Sequence, residues 1–357
     1  MSTETAAVRP GEELAWDRLQ GWLRPQLARL GLDTAAPMSV LQFPNGSANL
    51  TYQLSFGPLR LVLRRPPFGR LAPGAHDMRR EHRVLSRLWR GYDRAPRAYL
   101  FCDDHDVIGG DFVVSEYRSG VVVWGELPPS MAETSGAGRR IGLAVVDALA
   151  DLHLVDAAAL GLADLGRPDG YVQRQIDGWT KRWRLVASEE HGPVMEEVAT
   201  ILGASIPASP GASIIHNDFK PDNCQFAEGR PDRVTAVFDW DMATVGDPLA
   251  DLGTLLNYWP DPADTPADRA LSVEGLERIG LPTRAEVVEH YGARTGIPTD
   301  TIGWYEAFAC WRTATVCQQL YHRYAIGESG DDRMYQRGLL VGSLAKRALR
   351  LALPLSV

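Results

Sequence analysis

Cysteine is scarce in this sequence, and its four copies, Cys102, Cys224, Cys310 and Cys317, are scattered without a C-x-x-C spacing. That argues against a disulfide framework and against a zinc site, and it fits reduced thiols in a cytoplasm. No uncharged apolar run reaches the roughly 18 residues that a membrane span needs. Met1-Ser2-Thr3-Glu4-Thr5 has neither a basic nor an apolar leader region, so no signal peptide is expected. The apolar tail from Leu339 to Leu355 is interrupted by Lys346, Arg347 and Arg350 and reads as a packed amphipathic helix. A basic excess is also missing. With a net charge of −8 the chain lacks the footprint that phosphate backbones require, so no nucleic-acid partner is expected. Internal repeats and low-complexity tracts are absent as well. What is present is ordinary for a globular chain: 357 residues, 45% apolar and 23% charged, enough for two domains or one large bilobal one.

Trp16, Leu19, Leu23, Leu27 and Leu30 recur at helical spacing and predict an N-terminal helix that stops near Gly31. The period then changes. Val40 to Phe43 reads as a strand, Pro44 to Ala48 as a turn, and the alternation of Leu50, Tyr52, Leu54 and Phe56 as a second strand. Gly57-Pro58 turns into a third, Leu59 to Arg64. A helix from about His76 to Trp89 follows, then strands at Ala98 to Cys102 and Phe112 to Glu116 joined by the polar turn at 103–106. Beyond Ser119-Gly120 the pattern is mainly helical, with helices expected at 138–154, 170–188, 193–203, 248–258, 284–295, 300–326 and 331–351. Short strands are expected near 214–215, 224–226 and 234–238. The fold class is therefore α+β, with a small lobe (1–118) of five strands and one helix and a larger, mainly helical lobe (119–357).

Chemistry concentrates in His216-Asn217-Asp218-Phe219-Lys220-Pro221-Asp222-Asn223, which follows an apolar strand in the pattern H-x-D-x-K-x-x-N. Phosphoryl transfer asks a protein for metal ligands, a group that orients the attacking hydroxyl, and cations that hold the phosphates in line. Asp218 suits the hydroxyl, Asn223 offers an oxygen to magnesium, and Lys220 can neutralise a γ-phosphate. Val234 to Phe238 reads as a buried strand ending in Asp239-Trp240-Asp241, so Asp239 is assigned as a second magnesium ligand. Asp241 helps through water or braces the loop.

In the small lobe, alternation places Val62 and Arg64 on one face. This resembles a kinase third strand, in which an apolar residue roofs the adenine and a cation holds the α/β-phosphates. Glu81 on the following helix is the natural anion for that cation. Gly46 and Ser47 sit between the first two strands, where backbone amides can approach a triphosphate. The adenine is expected against the backbone near Ser115-Glu116-Tyr117.

Together these residues resemble the aminoglycoside phosphotransferase family, a branch of the protein-kinase-like fold. Asn49-Leu50-Thr51-Tyr52 looks like its S-N-x-T-Y segment, with Ala48 at the serine position. Asp239-Trp240-Asp241 looks like its D-W-E motif, and Gly246-Asp247-Pro248-Leu249-Ala250-Asp251-Leu252 like its G-D-P-x-x-D-L signature. The resemblance implies ATP and Mg2+ as cofactors, a small hydroxylated acceptor, and supporting roles for His216 and Asp251. Val62 to Pro67, Gln173 to Trp179 and Leu320 to Tyr324 look most like phosphotransferase modules fused to acyl-CoA dehydrogenases. This implies a hydroxyacyl-type metabolite rather than an antibiotic. From Tyr305 to Val357 seven cations face four anions, and Arg312 and Arg323, flanked by aromatic and apolar residues, are the candidates for an anionic acceptor.

A protein kinase would need D-F-G and A-P-E motifs, and six residues between Asp241 and Pro248 leave no room for an activation segment. An antibiotic kinase remains an alternative. So does a catalytically silent nucleotide-binding module, supported by Arg64 at the lysine position and Ala48.

Overall fold

The structure, a computed structural model, describes residues 5–44, 49–69 and 77–356. It divides into two units, Met1–Ser119 with Thr235–Ala243, and Gly120–Val234 with Thr244–Val357.

In the first unit, helix α1 (Trp16–Arg29) turns Leu19, Leu23 and Leu27 inward. Strands β1 (Met38–Gln42), β2 (Leu50–Phe56) and β3 (Leu59–Arg65) precede helix α2 (Met78–Leu88), which is followed by β4 (Ala98–Cys102), the one-turn helix α3 (His105–Ile108) and β5 (Phe112–Glu116). The five strands form one antiparallel sheet in the order β1-β2-β3-β5-β4, as the sequence pattern predicts for the small lobe. Leu50, Tyr52, Leu54 and Phe56 alternate inward along β2 and share a core with the leucines of α1. Asp77 caps α2 by accepting the Arg80 N–H at 2.9 Å. The expected helix start at His76 lies outside the described residues. Instead of a plain turn at 103–106, Asp104 caps α3. The segment Thr235–Ala243 belongs to this unit. Trp240 is buried against Tyr92 (ring centroids 6.0 Å apart), and the Val237 N–H donates to the Arg94 carbonyl at 2.8 Å.

The second unit contains β6 (Val121–Val122), α4 (Ala137–His153), α5 (Tyr171–Arg184), α6 (Gly192–Ala204), β7 (Ser213–Ile215) and β8 (Cys224–Phe226). After β9 (Val234–Val237) come β10 (Thr244–Gly246), α7 (Pro248–Tyr258), α8 (Arg284–Thr295), α9 (Ile302–Ala325), α10 (Asp332–Gly338) and α11 (Val341–Ala352). β7 pairs antiparallel with β10, and β6 with β8. The centre is α9, which buries Trp304, Phe308 and Trp311 and packs against α7 and α11.

One helix was expected over 331–351, but the structure has two. The break follows Gly338, where an added Cβ would come within 2.4 Å of the Tyr321 ring, so the chain turns at a point of close approach. Among the described residues no helix is long and apolar enough to cross a membrane.

Candidate functional site

The first unit gathers its charged residues around Arg64. Pleating turns this side chain from β3 toward α2, where Nη1 donates to Glu81 Oε1 at 2.8 Å and Nη2 donates to Asp239 Oδ1. Asp239 reaches this place because its backbone is left-handed (φ 72°), one of two such non-glycine residues among the described ones. Conformations of that kind cost on the order of 1 kcal/mol and persist where the surroundings impose them, often at functional sites.

Asp241 acts electrostatically on the same guanidinium, so Arg64 faces the carboxylates of Asp239, Glu81 and Asp241. Burial pushes the Glu81 carboxyl up to about 7, partly opposed by Arg64 and reinforced by Asp241 and Asp239. Its Oε2 is buried without a hydrogen-bond partner among the described residues. Carboxylate oxygens of this kind are the ligands that a divalent cation such as magnesium prefers. Among the described residues no three His, Cys, Asp or Glu side chains converge as a metal cage; magnesium commonly takes one or two carboxylates and completes its shell with phosphates and water.

Replacing Arg64 with Ala would leave the Glu81 carboxylate buried without its cation. Because the Arg64 side chain keeps 14% exposure, we expect a loss of about 2 kcal/mol rather than the larger cost of a fully buried pair, measurable by urea unfolding, with Arg64→Lys losing less.

Asn49, at the entry to β2, is 3% exposed, and both polar atoms of its carboxamide lack partners among the described residues. Gly46 and Ser47 lie outside the described residues. Glu116 ends β5 with its carboxylate accepting from the Arg97 N–H and paired to Arg118 Nε at 3.0 Å. The neighbouring Tyr117 ring lies under the Arg60 guanidinium at 4.1 Å.

The second unit holds the loop from His216 to Asn223. Each residue of the following Gly-Asp-Pro segment has a mechanical reason to be there. At Gly246 a Cβ would meet Ile215 Cδ1 at 2.8 Å and the Tyr171 ring at 2.9 Å, so only glycine lets these approach. Asp247 caps α7 by accepting the Leu249 N–H at 2.9 Å and accepts the Tyr305 hydroxyl at 2.7 Å. Pro248 fills the first helical turn, where no N–H is needed. Asp251, fully buried one turn later, accepts the backbone N–H of His216 at 2.5 Å and of Asn217 at 2.6 Å, with His153 Nε2 at 3.4 Å. Burial alone would raise its carboxyl, but the hydrogen bond and charge of His153, together with His216, hold it below the ordinary value.

Asn217 is the other left-handed non-glycine residue, at φ 68°. His216 is buried, its Nδ1 accepting the Asp218 N–H at 3.3 Å. The Asp218 carboxylate, 24% exposed, pairs with Lys220 Nζ at 3.1 Å, and Lys220 also approaches Asp222 at 3.8 Å. Burial alone would lower the Lys220 ammonium, but Asp218 and Asp222 raise it above its usual range, so it stays charged. The Asn223 amide donates to the Asp218 carbonyl at 2.9 Å, which turns Oδ1 away as an oxygen without a protein partner among the described residues.

Arg312, expected to grip an anionic acceptor, is 7% exposed and donates through Nη2 to the Asn217 carbonyl at 2.9 Å and the Thr254 hydroxyl at 3.1 Å. Its guanidinium is thus engaged by the loop. Arg323 remains more open, 36% exposed and 3.5 Å from Glu328. Sequence reasoning passed over Tyr171, whose hydroxyl donates to Asn217 Oδ1 at 2.9 Å, and Tyr258, whose ring lies 5.4 Å from Lys220 Nζ. The one available signal was asparagine between His216 and Asp218, the kind of residue that tolerates a left-handed backbone.

A five-stranded sheet with one inserted helix, a helical second unit, and a carboxylate–lysine–asparagine loop together define a protein-kinase-like fold of the phosphotransferase kind. The chain belongs to the phosphotransferase enzyme family, whose sequence model matches residues 39–287. Among solved structures it is similar to a Ralstonia eutropha protein provisionally classed as an aminoglycoside phosphotransferase, at 30% identity and a TM-score of 0.78, covering 95% of this chain and 98% of that one. The fold also matches aminoglycoside phosphotransferase APH(4)-Ia in ternary complex with AMP-PNP and hygromycin B, at 14% identity and a TM-score of 0.57, covering 89% and 95% of the two chains. Among curated proteins it is 32% identical to mouse (Mus musculus) acyl-CoA dehydrogenase family member 10 over 96% of this chain and 32% of that protein. It is 31% identical to rat (Rattus norvegicus) acyl-CoA dehydrogenase family member 11 over 99% of this chain and 45% of that protein. The chain thus spans less than half the length of the curated relatives it matches, and the resemblance read from Val62 to Pro67, Gln173 to Trp179 and Leu320 to Tyr324 agrees with them.

Proposed function

We propose that this protein is a magnesium- and ATP-dependent kinase that transfers the γ-phosphoryl group to a hydroxyl of a small anionic metabolite of hydroxyacyl type. The observation that carries the reading is the state of Asp218. Its carboxylate is partly open and partnered by a charged lysine at 3.1 Å, on a loop fixed by buried hydrogen bonds. A carboxylate so held accepts a hydrogen bond from an incoming hydroxyl, aligns its oxygen and takes the proton as the new P–O bond forms, while the bond from the γ-phosphorus to the β–γ bridging oxygen breaks and ADP leaves with that electron pair. Lys220 offsets charge on the transferring group. The small lobe (1–118) is proposed to bind the nucleotide and the larger lobe (119–357) to carry catalysis and the acceptor.

Arg64, fixed by Glu81, is proposed to hold the α- and β-phosphates, with Gly46, Ser47 and Asn49 covering them and the backbone by Glu116 and Tyr117 meeting the base. Asp239 is proposed as a magnesium ligand in the first unit, with Asp241 in support. In the second unit, the Asn223 Oδ1 is proposed as an oxygen ligand to magnesium. When bound, the ion neutralises phosphate charge. Arg323 is proposed to meet the anionic acceptor. The free thiols of all four cysteines support a reducing, cytoplasmic setting.

An antibiotic as acceptor is the second reading, favoured by the class given to the Ralstonia protein at 30% identity. The test is turnover of magnesium–ATP by the purified protein against a panel of hydroxyacyl thioesters, hydroxy acids and aminoglycosides. Phosphorylation of a hydroxyacyl compound is the expected result. Phosphorylation of aminoglycosides alone would establish the second reading, and ATP binding with no phosphorylated product would establish a silent nucleotide-binding module.

A further inference from the structure

Asn217 stands immediately before Asp218, and elements far apart in the sequence hold three of its polar groups. Asp251 of α7 accepts its N–H at 2.6 Å, Arg312 of α9 donates to its carbonyl at 2.9 Å, and Tyr171 of α5 donates to its side-chain Oδ1 at 2.9 Å. Asn217, Tyr171 and Arg312 are 8%, 7% and 7% exposed, so water does not readily replace these partners. The residue so held has a left-handed backbone, φ 68°, which a non-glycine residue keeps where its surroundings over-determine it. The φ and ψ of Asn217 set the direction in which the next residue leaves the buried part of the loop.

We infer that Tyr171 and Arg312 are positioning residues that lock Asn217 in this conformation and so aim the Asp218 carboxylate. The inference rests on the reading of Asp218 as the hydroxyl-orienting group. It also gives Arg312 a task distinct from binding an acceptor. Tyr171 closes the clamp from the side, its ring seated over Gly246, where a Cβ would intrude to 2.9 Å. The alternative is that the three contacts only fill space, in which case removing one would lower stability without acting through Asn217.

The test is a double-mutant cycle between Tyr171→Phe and Asn217→Gly in the full chain, since glycine adopts the left-handed backbone without the side chain that Tyr171 holds. With magnesium–ATP and water as acceptor, Tyr171→Phe is expected to lower kcat about fivefold, the size of one net neutral hydrogen bond, with KM for ATP unchanged. In the Asn217→Gly background it should cost nothing further. Arg312→Met should lower kcat by about 100-fold under the same acceptor-free conditions, with partial recovery in Arg312→Lys.

In parallel, amide hydrogen exchange of the peptide covering 213–223 should quicken in Tyr171→Phe and show no added effect in the double variant. Additive kcat losses, a change confined to KM for ATP, or unaltered exchange in Tyr171→Phe would each overturn the inference. A wild-type protein without ATP turnover would defeat the phosphotransfer reading, and the exchange measurement would still decide whether Tyr171 holds the loop through Asn217.

Discussion

Asp218→Asn is expected to lower magnesium-dependent ATP turnover by at least about 100-fold, the scale of an essential positioning acid–base group, while leaving the fold intact. The substitution keeps the shape of the side chain and removes its charge. The loop contacts of Asp218 are made by its backbone, the N–H to His216 Nδ1 at 3.3 Å and the carbonyl from Asn223 at 2.9 Å, and these survive. The lost ion pair with Lys220 involves side chains 22% and 24% exposed and is worth at most about 1 kcal/mol. Lys220 also retains Asp222 at 3.8 Å. Turnover should therefore collapse with the melting temperature within a few degrees of the parent. A variant that turns over near the parental rate would remove Asp218 from the chemistry.

Asp251→Ala should act through stability. The fully buried carboxylate accepts two backbone N–H groups, and deleting it orphans both in a place water does not reach. Breaking such a buried charged network costs roughly 3–5 kcal/mol, which at this size lowers the melting temperature by about 10 °C. Asp251→Asn keeps one acceptor oxygen and should lose about half as much.

The pH dependence follows from the direction of its shift. The folded carboxyl is held below its ordinary value, so its contribution is fully present above the unfolded value near 4 and is lost as pH falls through the lower folded value. Unfolding in urea between about pH 5 and pH 2 should show a decline in stability that is shallower in Asp251→Asn. Equal slopes in the two proteins would show that Asp251 is not held in this way.

Much of this was legible in the linear chain because its signals are local. Alternating Leu50, Tyr52, Leu54 and Phe56 could only be a half-buried strand, and the spacing of Leu19, Leu23 and Leu27 only a helix face. The expected helix at 248–258 coincides with α7. The one-turn helix α3 escaped because a four-residue element has too short a period to read, and the helix break after Gly338 escaped because its cause is the ring of Tyr321, packed there from α9.

The sequence by itself determined the strand and helix order, the small antiparallel sheet, the family, and the residue types that phosphoryl transfer uses, because periodicity and short motifs are properties of neighbours along the chain. The tertiary structure decided which groups share a hydrogen bond. It joined Thr235–Ala243 to the first unit and Asp239 to Arg64. It also gave Arg312 to the carbonyl of Asn217 and Tyr171 to its side chain. Those pairings span from 46 to 175 positions, and only the burial of polar groups, each of which must find a partner once water is excluded, selects them.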